Sequence, residues 1–203
     1  MRYIGPVYRK SRRLGFSILE NNKEFSKGKK RKTVPGQHGG KFKKLTQFGI
    51  QLKERQKVKF LYGINETQLR NLYLNGQKHR GQTGYLMLNN LESRLDNLVY
   101  RLNFAPTRKA ARQLVNHGNI LVDNKKVNIC SQIIKPGQVI SVKEKARSFE
   151  SVKKALESNV ATCPYVELDK ANFSGKYLRN PKRNEFANDI NELVIVEYYN
   201  QNS

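Results

Sequence analysis

Tryptophan is absent from this 203-residue chain, and cysteine occurs only twice, at Cys130 and Cys163. Two cysteines are too few for a disulfide framework and nothing in the sequence pairs them, so a reducing cytosolic or organellar compartment fits best. No stretch approaches the ~18 to 20 uninterrupted apolar residues of a membrane span, and Met1 to Arg13 lacks the apolar run of a secretory signal. Acids are scarce as well: 16 Asp plus Glu stand against 39 Lys plus Arg, a formal net charge of +23. Residues 1–60 carry 18 cations and 3 acids, residues 61–147 carry 14 and 5, and residues 148–203 are balanced at 7 and 8. Such one-sided charge repels itself unless a polyanion neutralises it. Nucleic acid is favoured over an anionic membrane, because the basic stretches lack the Trp-, Phe- and Leu-rich apolar face of an interfacial helix.

Catalytic constellations are missing too. His38, His79 and His117 are isolated from one another and from the cysteines, so no metal-ligand spacing arises. Gly28 followed by Lys29-Lys30-Arg31-Lys32-Thr33 lacks the Gly-x-x-x-x-Gly-Lys frame of a phosphate-binding loop. Asn65-Glu66-Thr67 and Asn172-Phe173-Ser174 match the glycosylation pattern, but no secretory signal supports it. The expectation is a protein that is not an enzyme and needs no cofactor or metal.

What is present is a sorted arrangement of cations between Leu91 and Arg147. On a helix at about 100° per residue, Leu91, Leu95, Leu98, Val99 and Leu102 share one arc, with Arg94 and Arg101 just beside it. Thr107 reads as the N-cap of a second helix, which Gly118 ends. In that helix Arg108, Lys109 and Arg112 share one face, and Ala110, Ala111, Leu114 and Val115 the other. Ile120-Leu121-Val122 and Lys125-Lys126-Val127 flank the hairpin turn Asp123-Asn124. Pro136-Gly137 makes another turn, from which Val139 to Val142 returns as a strand. Cations held on a packed helix suit phosphate oxygens.

The runs SRLDNLVYRL, TRKAARQLVNHGNILVDNKKVNI and KPGQVISVKEKAR resemble the small RNA-binding module of the ribosomal protein S-four type. That module also occurs in pseudouridine synthases, a tyrosyl-tRNA synthetase and a heat-shock protein, so alone it implies RNA binding only. The opening Arg2-Tyr3-Ile4-Gly5-Pro6, Ser11-Arg12-Arg13, Pro35-Gly36-Gln37-His38-Gly39, the run QFGIQLKERQKVKFLYGINETQLRNLY and the ending NDINELVIVEYY extend the likeness over nearly the whole chain. They resemble the small-subunit ribosomal protein S-four family of bacteria or organelles. Some relatives carry an N-terminal zinc-binding cysteine cluster, but this chain has no cysteine before Cys130, so a zinc-free form is implied.

The resemblance implies a structural constituent of the small ribosomal subunit, a primary binder of 16S rRNA that nucleates assembly of the subunit body. It further implies contact with ribosomal protein S-five where mRNA enters, an influence on decoding accuracy shared with S-five and S-twelve, and no homo-oligomer. The implied location is the cytoplasmic 30S-type subunit, with an organellar ribosome as the alternative. Two competing functions are an RNA-modifying enzyme, for which no catalytic domain is visible, and a translational regulator that binds mRNA through the same surface.

The expected fold class is α+β. Residues 1–44 form a basic arm, with eight cations and no acid from Lys27 to Lys44, reading as solvated in isolation and ordering on RNA. Residues 45–91 form a helical domain on which 175–203 packs back, and 92–174 form the RNA-binding module, with its core at 92–147. Thr46 to Tyr62 reads as a helix with a basic face, Asn65 to Gln68 as a capping box, Thr83 as the cap of a longer helix, and Phe149 to Ser158 as a short one. The terminal segment carries Ile190, Leu193, Val194 and Tyr198 as an apolar stripe, with both helix and strand left open. Expected RNA-binding residues are Arg94, Arg101, Arg108, Lys109, Arg112, Lys125 and Lys126 in the module, Arg12, Arg13, Lys29, Lys30, Arg31, Lys32, His38, Lys43 and Lys44 in the arm, and Arg55 and Lys57 beyond it. Tyr3, Tyr8 and Phe42 are candidates for stacking on bases. Glu192 and Tyr198 are the expected protein-contact residues.

Overall fold

A computed structural model describes residues 3–23, 25–26, 33–41, 44–158, 163–187 and 189–201. In chain order the helices are α1 (Val7–Leu14), α2 (Gln47–Tyr62), α3 (Glu66–Gln77), α4 (Thr83–Glu92), α5 (Leu95–Arg101), α6 (Arg108–Asn116), α7 (Glu144–Arg147), α8 (Glu150–Glu157) and α9 (Glu192–Gln201). The strands are β1 (Ile120–Val122), β2 (Lys125–Val127), β3 (Val139–Val142), β4 (Val166–Asp169) and β5 (Ser174–Tyr177). The described residues are therefore α+β, as expected. They divide into two compact units, Met1–Tyr85 with Ala187–Ser203, and Leu86–Phe186.

The first unit is helical. Thr46 Oγ1 accepts from the Gly49 amide at 3.2 Å to start α2, and Gly63 ends it in the left-handed region at φ 62°. Asn65 and Gln68 exchange side-chain to backbone hydrogen bonds at 2.8 and 3.1 Å, the reciprocal box that opens α3. Two expectations need correction. The N-terminal stretch is not all arm: residues 7–14 form α1, and Leu14 at its end and Phe16 and Ile18 beyond it are buried. The terminal segment is helix, and its buried stripe is Ile195 and Tyr199, with Ile190 buried just ahead of α9, whereas Leu193 is 69% exposed. Ile195 and Tyr199 stand four apart on one side of α9, and Leu193 lies about 200° round from Ile195.

The second unit packs helices on an antiparallel sheet of order β2-β1-β3-β5-β4. The hairpin pairs Ile120 with Val127 and Val122 with Lys125, and its turn residues Asp123 and Asn124 both adopt positive φ, 48° and 63°, as a primed two-residue turn requires. β4 and β5 were not legible in the sequence. Because β5 pairs with β3 and β4, residues 175–186 belong to this unit, and only the chain from Ala187 onward belongs with the helical one. Nor do Leu91 to Leu102 form one helix. Arg94 takes an extended backbone and bridges Ile133, which separates α4 from α5, yet Leu91, Leu95, Leu98, Val99 and Leu102 are all fully buried.

Candidate nucleic-acid interface

Four of the arginines expected to meet RNA are organised by two carboxylates. Glu92, the last residue of α4, is 0% exposed. It accepts from Arg101 Nε at 3.2 Å and Nη2 at 2.9 Å, from the Asn97 amide and from the Tyr165 hydroxyl at 2.8 Å. Asp96 accepts a fork from Arg94, at 3.1 and 2.9 Å, and a second from Arg112 Nε at 2.8 Å and Nη2 at 2.5 Å. Asn97 passes the network on, because its Oδ1 accepts from Arg108 Nε at 2.8 Å while the Arg108 guanidinium lies 4.5 Å from the Tyr100 ring centroid. Burial first, and then the negative charge of Glu92, push the Tyr165 hydroxyl well above its ordinary pKa. It therefore stays a donor.

This arrangement fixes guanidinium planes, and it also changes which of them face outward. Arg94 keeps only 7% of its side-chain surface and sits inside the pair with Asp96, so the expectation that it faces RNA is corrected: it holds Asp96, which holds Arg112. Arg101 and Arg112 keep 12% and 13%, and Arg108 is half-buried. With four guanidiniums against two carboxylates the cluster retains positive charge, and bidentate Arg geometry matches phosphate.

Lys109, Lys125 and Lys126 are the outward cations of the expected set. The Lys126 stem crosses the end of α6, where a Cβ on Gly118 would lie 2.3 Å from Lys126 Cε. Gly118 itself has φ 67°, so both backbone and neighbour favour glycine there. The hairpin tip is braced by Asp123, whose carboxylate accepts from the Val139 amide at 2.9 Å and from Gln138 Nε2 at 2.7 Å. Those two hydrogen bonds, the Val139 one foremost, hold its pKa below the usual carboxylate value.

In the helical unit, Arg13, His38 and Lys44 are exposed, and Arg12 reaches the Thr33 carbonyl at 3.4 Å. Lys29, Lys30, Arg31, Lys32, Lys43 and Phe42 lie outside the described residues. On α2, Arg55 and Lys57, both expected to meet RNA, are engaged within their own unit. Arg55 pairs with Glu66 at 3.0 Å and stacks over the Tyr198 ring at 4.1 Å; Lys57 pairs with Glu54 at 2.7 Å and donates to the Asp189 carbonyl at 2.8 Å. Tyr198 is thereby occupied within its own unit, also lying 6.0 Å from the Phe48 ring. Glu192 lays Cβ and Cγ over Gly84 and is half-buried. Tyr3 packs edge-on against Phe60 and lies beneath Lys10.

Sequence reasoning passed over Glu92, Asp96 and Asn97, which position the arginines, and Arg9 and Lys10, which line a surface cavity of about 250 Å³ with Arg13 and Tyr3. The available signal was the pair of acids set among arginines in an otherwise acid-poor chain. Among the described residues no group of three or more His, Cys, Asp or Glu could hold a metal ion, and no helix is long and apolar enough to cross a membrane.

Comparison with known proteins fits this geometry. A family model described as "Ribosomal protein S4/S9 N-terminal domain" matches residues 2–92, and one described as "S4 domain" matches residues 93–140, which hold α5, α6 and the hairpin. The chain is 53% identical over 204 residues to the small ribosomal subunit protein uS4 of Mesoplasma florum, covering 98% of each chain. It is 51% identical over 202 residues to uS4 of Mycoplasma capricolum, covering 98% of this chain and 97% of the relative. To uS4 of Mycoplasma pneumoniae it is 49% identical over 201 residues, with 98% of each chain covered. With a helical unit, an arginine-bearing module and end-to-end identity of this order, the chain belongs to the uS4 family of small ribosomal subunit proteins.

Proposed function

We propose that this chain is a structural, non-enzymatic constituent of the small ribosomal subunit that binds 16S rRNA directly and nucleates assembly of the subunit body. The observation that carries the reading is that Arg101 and Arg112 are fixed on buried carboxylates and Arg108 on the Asn97 amide, with exposed Lys109, Lys125 and Lys126 in the same unit, in a chain of net charge +23. Fixed guanidiniums lose little freedom on meeting phosphates, and outward lysines supply the counterion-release term that dominates affinity for nucleic acid. The contacts with ribosomal protein S-five and with mRNA where it enters the subunit, and the effect on accuracy shared with S-five and S-twelve, belong to the same proposal. They are supported by the near-neutral charge of residues 148–203, which suits a protein neighbour better than a polyanion. Sedimentation of cell extract tests the core claim: the protein travels with small subunits and stays with them through a moderate-salt wash, and release into the soluble fraction at low salt overturns it.

A further inference from the structure

The two flanks of α6 differ in a way that the phosphate-binding proposal does not use. One flank is committed, with Arg108 on Asn97 and Arg112 on Asp96. On the other, a cavity of about 180 Å³ opens between α6 and the start of α8. Leu114 supplies an apolar wall and Phe149, 37% exposed, an accessible aromatic ring. Around them stand Gln113, His117, Asn119 and Ser151, and none of these four side chains has a hydrogen-bond partner among the described residues. The volume is below the roughly 300–1,000 Å³ of a pocket for a drug-sized ligand and is on the scale of a single planar ring system.

We infer that this cavity receives a single unpaired base of the rRNA, extruded from its strand and stacked on Phe149. An apolar wall with an aromatic ring and several uncommitted amide, imidazole and hydroxyl groups is the chemistry by which proteins read unstacked bases: the ring takes the π-face and the polar groups take the base edge. An aliphatic side chain from a protein neighbour would use the wall and leave all four polar groups without a role. No Lys or Arg lines the cavity, so it is not a phosphate site, although exposed Lys109 and Lys153 lie within two positions of lining residues, where the flanking phosphates would run. The inference rests on the proposal that the chain binds 16S rRNA. It adds that one nucleotide is read by its base.

The test uses the full chain and a 16S rRNA transcript, with Phe149→Leu, which keeps apolar bulk and removes the ring, and Gln113→Ala, at an exposed position. In the wild-type complex one unpaired base is protected from chemical modification. In Phe149→Leu that base becomes reactive and affinity falls by about five- to 150-fold, while the salt slope is unchanged because no phosphate contact is lost. Gln113→Ala gives a smaller loss at the same base and carries the test should Phe149→Leu fail to fold. Wild-type affinity and an unchanged modification pattern in both folded variants overturn the inference. Normal rRNA affinity with loss from reconstituted subunits also overturns it, because the occupant is then a protein neighbour. Failure of the wild-type chain to bind the transcript sinks the rRNA-binding proposal instead, so the two failures are distinguishable.

Discussion

In the helical unit the carboxylate that gathers cations, Glu66, keeps 41% of its side-chain surface in solvent, whereas in the module Glu92 keeps none and Asp96 keeps 5%. Both units thus tie arginines to acids, but with different consequences. The Glu66 cluster joins α2, α3 and α9 through Arg55, Lys59 at 2.8 Å and the Tyr199 hydroxyl at 2.8 Å, and water screens it. The Glu92 and Asp96 clusters are cut off from water, so each missing partner leaves a buried charge uncompensated. The exposed network is a clamp among helices that also pack through apolar contacts. The buried one sets the geometry of a surface.

The comparison predicts its largest effect at Glu92. Glu92→Ala removes the buried carboxylate shared by Arg101, Asn97 and Tyr165, and the urea transition of the module should shift by about 3–5 kcal/mol; a shift below 1 kcal/mol would mean that water or a rearranged neighbour replaces the carboxylate. The helical unit depends more on packing. Ile195→Ala, at a fully buried site, should cost about 2–5 kcal/mol, while Leu193→Ala, on the opposite side of α9, should stay within about 0.5 kcal/mol. Equal costs for the two would contradict the orientation of α9.

A third contrast separates the exposed lysines from the network. Lys125→Ala with Lys126→Ala should leave the melting temperature of the chain unchanged and make the slope of log K against log salt for rRNA shallower by roughly 0.7–0.9 per lysine. An unchanged slope removes the hairpin from the RNA surface. The smallest effect lies in the exposed cluster. Burial opposes ionisation of Glu66, but hydrogen bonds from Lys59 and Tyr199 and the charges of Arg55 and Lys59 outweigh it and hold the pKa below the ordinary glutamate value of 4.5. Its contribution is therefore fully present above the unfolded value, near pH 4.5, and is lost as pH falls through the lower folded one. Glu66→Gln should lower thermal stability at pH 7 by less than about 1 kcal/mol, and that difference should vanish under acid. A gap that persists at low pH would make the loss steric.

Much of the architecture was legible because it is written locally. The capping box at Asn65 and Gln68, the turn at Asp123-Asn124 and the helix end at Gly118 depend on neighbours within four residues, and each is present. β4 and β5 escaped because Val166-Glu167-Leu168-Asp169 and Ser174-Gly175-Lys176-Tyr177 carry few β-branched residues. Gly175 is needed there for space, since a Cβ would lie 2.4 Å from Leu102 Cδ2 and 2.9 Å from the Glu167 carbonyl oxygen. Nothing in the neighbouring sequence reports that crowding.

By itself, the sequence determined the charge, the class of partner, the boundaries of α2, α3, α6 and α8 to within about two residues and the family likeness, because charge and capping are properties of composition and short spacing. Only the tertiary structure decided which cations face outward. Arg55 and Lys109 look alike as letters in basic helices, yet one is paired with Glu66 across two helices and the other stands in solvent. The partner that consumes a cation is chosen by packing across the chain, as Tyr165 meets Glu92 from 73 residues away. No local pattern carries that distance.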